Sequence, residues 1–129
     1  MVTALWVLLI AIFLPIVCAG IGKAGGSTPY DNHNPREWLA KQEGRAARAN
    51  AAQGNSWEAL AMYSAGLLAA HIGNVESASL AMYALIFLVS RILYIHFYVT
   101  DRPTLRSSAW GFGFLACLAL IVRGALGAI

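Results

Sequence analysis

The sequence predicts an all-α integral membrane protein built as a four-helix bundle, and three observations carry that prediction. The chain has 129 residues, of which 59% are hydrophobic and only 12% charged. Its mean hydropathy of +0.62 lies well above that of ordinary soluble domains. The apolar residues fall in four long runs that do not alternate, whereas a barrel strand shows ~10 residues of strict alternation.

The first run, residues 1–22, MVTALWVLLIAIFLPIVCAGIG, carries no charge and is long enough to cross a hydrocarbon core of ~30 Å. A cleaved signal peptide would begin on a basic stretch and close on a small-x-small site. This run has neither, so it reads as a retained helix. Next comes a polar loop, GKAGGSTPYDN, and then HNPREW, which reads as a helix start. Asn34 suits the N-cap, Pro35 the first helical position and Glu37 the third, a variant of the capping box. No Gly–Pro break follows before Gly73, so the second helix is expected to run from 35 to 72. At 1.5 Å per residue that is ~57 Å, longer than a bilayer, so its first part must project from the membrane or line a polar cavity. Gly73 and Asn74 make a tight turn. A third helix is expected over 76–100, stopped by Asp101-Arg102-Pro103, and a fourth over 104–127. Residues 1–129 read as a single domain.

Charge sets the expected orientation. Loop one carries Lys23, Arg36, Lys41, Arg45 and Arg48, and loop three carries Arg102 and Arg106. The second loop has no Lys or Arg. The positive-inside rule then puts loops one and three in the cytoplasm and both termini outside, with Arg123 the one counter-example. In a bacterium this would be the inner, or cell, membrane. The net charge of +3 is small and dispersed, which argues against nucleic acid as a partner. Cys18 and Cys117 lie in apolar helices and read as packing residues. His33, His71 and His96 lie in different segments without ligand spacing, so no metal site is expected.

Two polar stripes interrupt the apolar runs. On the second helix Arg48, Asn55 and Glu58 fall within ~80° of one another. On the third, Arg91, Tyr94 and Tyr98 fall within ~60°, and Asp101 continues the stripe. Ionisable groups at membrane depth are costly unless paired or facing water, so each marks a functional candidate. A purely structural network would explain Glu58 neutralising Arg48 or Arg91. It would not explain why Arg48, Asn55, Arg91, Tyr94, Tyr98 and Arg106 gather near one membrane face. Guanidinium forks bind carboxylates, and Asn and Glu fix an amide or an ammonium. A phenol or guanidinium beside a thiol favours thiolate. The set suits a small peptide-like acid with a reactive sulfur.

These residues resemble the MAPEG superfamily, the membrane-associated proteins in eicosanoid and glutathione metabolism. RANAAQGNSWEA (48–59) is similar to the family's helix-two pattern, and RILYIHFYVTDRPTLRS (91–107) to its helix-three signature with the turn and Arg-Ser that follow. NPREW resembles the small bacterial members. The resemblance covers essentially the whole chain. It implies a homotrimer that binds glutathione between subunits and takes a lipophilic co-substrate from the bilayer. By position it implies glutathione contacts from Asn55, Glu58, Arg91, Tyr94 and Tyr98. It implies further contacts from Arg48, from Lys23 in loop one and from Gln53 of an adjacent subunit. Arg106 matches the arginine that activates the thiol, with Ser107 beside it. Ala51 stands where the synthases of the family carry an arginine, and Ala59 where some relatives have an aromatic residue.

The expected activity is that of a glutathione-dependent transferase or peroxidase acting on hydrophobic electrophiles. The alternative is a non-catalytic protein on the same scaffold that binds lipid or glutathione. A small multidrug exporter, also four helices, would need a carboxylate in the first span, and residues 1–22 have none. The pocket is expected to join helix two of one subunit to helix three of the next.

Overall fold

A computed structural model describes residues 1–127. Its elements are helices α1 (Val2–Ala24), α2 (Pro35–Ala40), α3 (Gly44–Ile72), α4 (Ser77–Val99) and α5 (Pro103–Gly127). Three of them, α1, α4 and α5, are long and apolar enough to cross a membrane. Helix α3 is longer, at 29 residues, but Arg45, Arg48, Asn50, Gln53, Asn55 and Glu58 make its first half polar. The chain is thus a multi-pass membrane protein with four long helices.

The expected helix over 35–72 is two helices. The chain leaves the helical path at Lys41, Glu43 is extended, and Gly44 takes a φ of +57°. That left-handed conformation costs glycine little and a residue with a Cβ much more. Shortened to Gly44–Ile72, α3 spans ~44 Å instead of ~57 Å. The capping box does not form either. Asn34 is the N-cap of α2 without a side-chain hydrogen bond, and the Glu37 carboxylate instead accepts from Lys41 Nζ at 2.6 Å. That hydrogen bond and the carboxylate's charge hold the Lys41 ammonium above its ordinary range.

Loop one is tied down despite its composition. Trp38 Nε1 donates to Thr28 Oγ1 at 2.9 Å, and Ser27 N donates to Gln42 Oε1 at 2.9 Å. The turns after α3 and α4 share one geometry. Asn74 and Asp101 take left-handed φ values of 48° and 59°. Val75 N donates to Ala70 O, and Arg102 N to Phe97 O. These are the six-to-one bonds of Schellman caps, with Asn and Asp in the position glycine usually takes.

Helix α1 lies along α3, α3 along α5 and α5 along α4. The contact faces are built from small residues at spacings of three and four. Ala4, Val7, Ala11, Pro15, Cys18 and Gly22 line the inner face of α1, and Ala46, Ala49, Ala52, Ser56 and Ala59 that of α3. Small side chains let membrane helices approach closely, and such packing replaces the water-driven hydrophobic effect in lipid. The core has two apolar parts. Near the α3–α4 turn it is Tyr63, Phe87, Leu80, Cys117 and Leu120 with their neighbours. Tyr63 stacks on Phe87 with ring centroids 4.3 Å apart and donates its hydroxyl to Ala4 O at 3.0 Å. At the basic end, where loops one and three meet, it is Cys18, Ala49, Ala52, Tyr94, Ile95, Val99 and Ala109.

Candidate functional site

Between the two apolar cores lies a polar layer. Arg91 enters it from α4, one turn after Phe87, and is 2% exposed. Its Nη2 donates to Asn55 Oδ1 at 3.0 Å and to Ser56 Oγ at 3.4 Å on α3. Asn55 in turn donates Nδ2 to Glu58 Oε2 at 3.1 Å. The guanidinium carbon lies 4.1 Å from the centre of the Tyr94 ring, and Tyr94 meets Tyr98 edge to face at 5.5 Å. Beyond them, the Arg106 guanidinium from α5 lies 4.5 Å from the centre of the Tyr98 ring. A continuous chain of contacts therefore runs Glu58–Asn55–Arg91–Tyr94–Tyr98–Arg106.

The local sequence explains the arrangement. Residues 91, 94 and 98 recur on one side of α4, and 55 and 58 on one side of α3, so a single helix contact brings both stripes together. The turn at Asp101 reverses the chain at once, which returns Arg106 to the level of Tyr98. The stripes meet within one chain. Within one chain the direct Asn55–Arg91 hydrogen bond already joins the two stripes, and what a neighbouring subunit adds to them belongs to the proposed assembly.

The charge balance of the layer is unusual. Among the described residues the ion pairs are Lys41–Glu37 and Arg48–Asp101, so the buried Arg91 has no carboxylate within 4.0 Å. Its partners are an amide oxygen, a hydroxyl and a ring face, and its enclosed Nε has none among the described residues. Asn55 relays the Glu58 charge to it at second hand. A buried guanidinium held only by neutral groups is costly and is stabilised by an anion brought to it.

Other expected site residues lie elsewhere. Arg48 is turned to the end of α4, where Nη2 donates to Val99 O at 3.3 Å and Nη1 lies 3.8 Å from Asp101 Oδ2. It therefore caps a helix end and does not fill the place left by Ala51, which is exposed. Lys23 is exposed, with its ammonium 4.3 Å from the centre of the Tyr30 ring. Gln53 lies on another flank of α3, half-buried, with an enclosed Oε1 that has no partner among the described residues. Ser107 is exposed and lines an open cleft of about 580 Å³ with Pro103, Thr104 and Ser108. Three further residues shape the layer, two of them serines that the sequence reading missed. Ser56 accepts from Arg91 and donates to Ala52 O at 2.7 Å. Ser90 donates to Phe87 O at 2.7 Å. Gly113 on α5 leaves the space that the Ser90 hydroxyl occupies, since a Cβ there would meet Ser90 Oγ and lie 3.7 Å from Arg91 Cδ.

A membrane bundle of four long helices joins its Arg-x-x-Tyr-x-x-x-Tyr stripe to its Asn-x-x-Glu stripe through the Arg91–Asn55 hydrogen bond. The chain belongs to the MAPEG family, whose model matches residues 3–126. No curated protein and no solved structure matches it.

Proposed function

We propose that the protein binds glutathione at the Arg91–Asn55–Glu58–Tyr94–Tyr98–Arg106 cluster and uses its thiolate against lipophilic electrophiles. The observation that carries this reading is Arg91, a buried cation whose contacts among the described residues are all neutral. Glutathione supplies the missing anion as a carboxylate, and Asn55 and Glu58 offer an acceptor for its ammonium. Family membership supports the same ligand. Arg106, always charged, stabilises a thiolate near Tyr98 without a general base. In the transfer reaction the thiol proton goes to solvent and the sulfur lone pair forms the carbon–sulfur bond. The leaving group departs with the electron pair of the bond that breaks.

The active form proposed is a homotrimer with loops one and three in the cytoplasm. Its support is a stripe on α3 that points away from the bundle: Ala47, Ala51, Gly54, Glu58, Ala61, Ala65, Leu68 and Ile72, at spacings of four and three. All but the half-buried Ala47 are exposed. A 3.5-residue repeat of mostly small side chains is the pattern by which helices supercoil around one another. Gln53 and Lys23 lie outside the cluster and are proposed to reach a site from a neighbouring subunit. Arg48 and Ser107 are proposed to act beside the cluster.

The test is thermal unfolding of the purified protein in detergent with and without glutathione. Saturation at 100 times the dissociation constant adds ~2.7 kcal/mol of stability. The shift should vanish in Arg91→Met. No shift in the unsubstituted protein overturns the glutathione reading. A shift without turnover of a model aryl halide leaves the non-catalytic binding protein in its place.

A further inference from the structure

Arg123 stands apart from the other basic residues. The Lys and Arg side chains of loops one and three gather at one end of the bundle, and Arg91 lies inside it. Arg123 lies ~26 Å along α5 from Arg106, close to the ~30 Å thickness of a hydrocarbon core. With Arg106 at one membrane boundary, Arg123 is therefore at the other. There it borders a cleft of about 490 Å³ together with Gly73, Asn74, Val75, Glu76 and Leu126. Close contact fixes the walls. A Cβ on Gly73 would meet the Gly124 carbonyl, and one on Gly127 the Gly73 carbonyl, so the end of α5 lies directly on the α3–α4 turn. The left-handed Asn74, with Val75 N bonded to Ala70 O, holds the other side.

Glu76 and Arg123 thus border one cleft from two elements, yet they are not paired with each other. Among the described residues the ion pairs are Lys41–Glu37 and Arg48–Asp101. We propose that the cleft binds the headgroup of an ethanolamine phospholipid, its phosphate on Arg123 and its ammonium on Glu76 and Asn74. A guanidinium fork binds phosphate bidentately. A primary ammonium has three N–H groups to donate. The Glu76 carboxylate is open to them, since its described hydrogen bond is a long one from Ser79 Oγ at 3.5 Å, and Asn74 adds a carboxamide oxygen. A choline ammonium has no N–H and is held instead by aromatic faces. No aromatic side chain lines this cleft among the described residues. A headgroup with phosphate alone would leave Glu76 unanswered.

Level and wall chemistry set this cleft apart from the others. Glu76 immediately precedes the α4 span and Arg123 lies near the end of the α5 span, the depth of headgroups rather than of acyl chains. The clefts on α1 and between α4 and α5 are walled almost wholly by apolar side chains. The one beside Ser107 has hydroxyls and no charge. Those surfaces accept hydrocarbon without regard to the headgroup above it, whereas the pairing of Glu76 with Arg123 selects one. The cleft is at the opposite end of the bundle from Arg106, so the proposal stands whatever the polar layer binds.

The experiment titrates the full chain in detergent with phosphatidylethanolamine, phosphatidylcholine and phosphatidylglycerol of identical acyl chains. Bound lipid per chain is counted by native mass spectrometry. Identical chains cancel whatever any membrane-spanning surface contributes. Phosphatidylethanolamine should be held ~3–5-fold more tightly than either of the others, the worth of an exposed ion pair. Glu76→Gln should bring it down to the level of phosphatidylcholine. Arg123→Gln should weaken phosphatidylethanolamine and phosphatidylglycerol together. Both side chains are exposed, so both proteins should fold. Equal retention of the three lipids, or an ethanolamine preference that survives both substitutions, overturns the proposal. Free O-phosphoethanolamine carries the same two charges without a membrane anchor. If it displaces the lipid at equal concentration, the occupant is a solute and the lipid assignment is overturned.

Discussion

The two ends of the bundle are held by different means. Near the α3–α4 turn, backbone lies directly on backbone. A Cβ on Gly124 would meet the Ala69 carbonyl, one on Gly73 the Gly124 carbonyl and one on Gly127 the Gly73 carbonyl. Tyr63, Phe87, Leu80 and Leu120 fill the space behind them with no charge among them. Toward the basic end the layer of Arg91, Asn55, Ser56 and Ser90 interrupts the core, with one donor unpartnered and one charge uncompensated. In lipid, close van der Waals packing is the main source of helix association. The tightly packed end therefore supplies stability, and the less compensated end is where the proposed ligand would bind.

The largest effect should come from breaking the tight end. Gly124→Ala places a methyl against backbone that cannot rotate away, and should cost ~3 kcal/mol. Thermal unfolding in detergent should show a loss of many degrees, or no folded protein. Gly111→Ala is the control on the same helix, since nothing lies within 4 Å of its added Cβ. It should leave stability unchanged or raise it by ~0.5–1 kcal/mol. Equal losses from both would mean that the close approach at Gly124 is not what holds this end.

The second effect probes the polar layer. Asn55→Ala removes the one amide that links Arg91 to Glu58 and leaves a buried cation with the Ser56 hydroxyl and the Tyr94 ring face, at ~1–3 kcal/mol or more. Glu58→Gln acts on an exposed group and should cost under ~1 kcal/mol. Both should weaken glutathione binding in the thermal-shift assay. A stable Asn55→Ala protein with undiminished glutathione binding would make the layer a structural device alone.

Much of this architecture is legible in the sequence, and the failures have physical causes. Residues 91, 94 and 98 reveal their common side through helical spacing, as do 55 and 58. The same wheel groups Arg48 with Asn55, yet the two are seven residues and ~10 Å apart along the axis. A wheel reports azimuth and not level, so it does not show that Arg48 reaches the end of α4. Gly44 does not announce a break, because a single glycine in a helical pattern costs only ~1 kcal/mol and its φ of +57° leaves no separate mark in the sequence. Ser56 and the role of Gly113 beside Arg91 escape the sequence for a different reason. Serine and glycine are common in membrane helices, and only the packing of α4 on α3 and α5 makes these two distinctive. The nearest signal was position: Ser56 lies inside the Asn-x-x-Glu motif, and Gly113 lies in the small-residue run of the last helix.

The third effect concerns Ser90 and Gly113, which pack beside Arg91. In Gly113→Ala the new methyl meets a side-chain hydroxyl, which can rotate, so the cost should be ~1 kcal/mol and well below that of Gly124→Ala. Ser90→Ala in the same protein removes the group that clashes. The double variant should therefore be less destabilised than the sum of the singles, a coupling of ~0.5–1 kcal/mol. Strict additivity would place Ser90 and Gly113 apart.

The smallest effect on stability, and the most informative on function, belongs to Arg106. Its described contact is the face of Tyr98, worth ~0.5–1 kcal/mol at a partly exposed site. Arg106→Ala should therefore unfold within a few degrees of the unsubstituted protein. Its position is different in kind from that of Arg91: half-buried, on the helix that follows the turn, and free of any carboxylate partner among the described residues. A cation there needs no rearrangement of the core to meet a sulfur lying against Tyr98. Under the proposed function Arg106→Ala should keep most of its glutathione binding, because Arg91, Asn55 and Glu58 remain. Turnover of a model aryl halide should fall by more than tenfold, the equivalent of ~1.4 kcal/mol in the barrier. Arg106→Lys should recover part of the rate, since it restores the charge and not the planar fork. Arg102→Ala, exposed in the preceding turn, should change neither binding nor rate. Wild-type turnover in Arg106→Ala would remove the thiol-activating role and leave Arg91 as the one cation at the site with a chemical task.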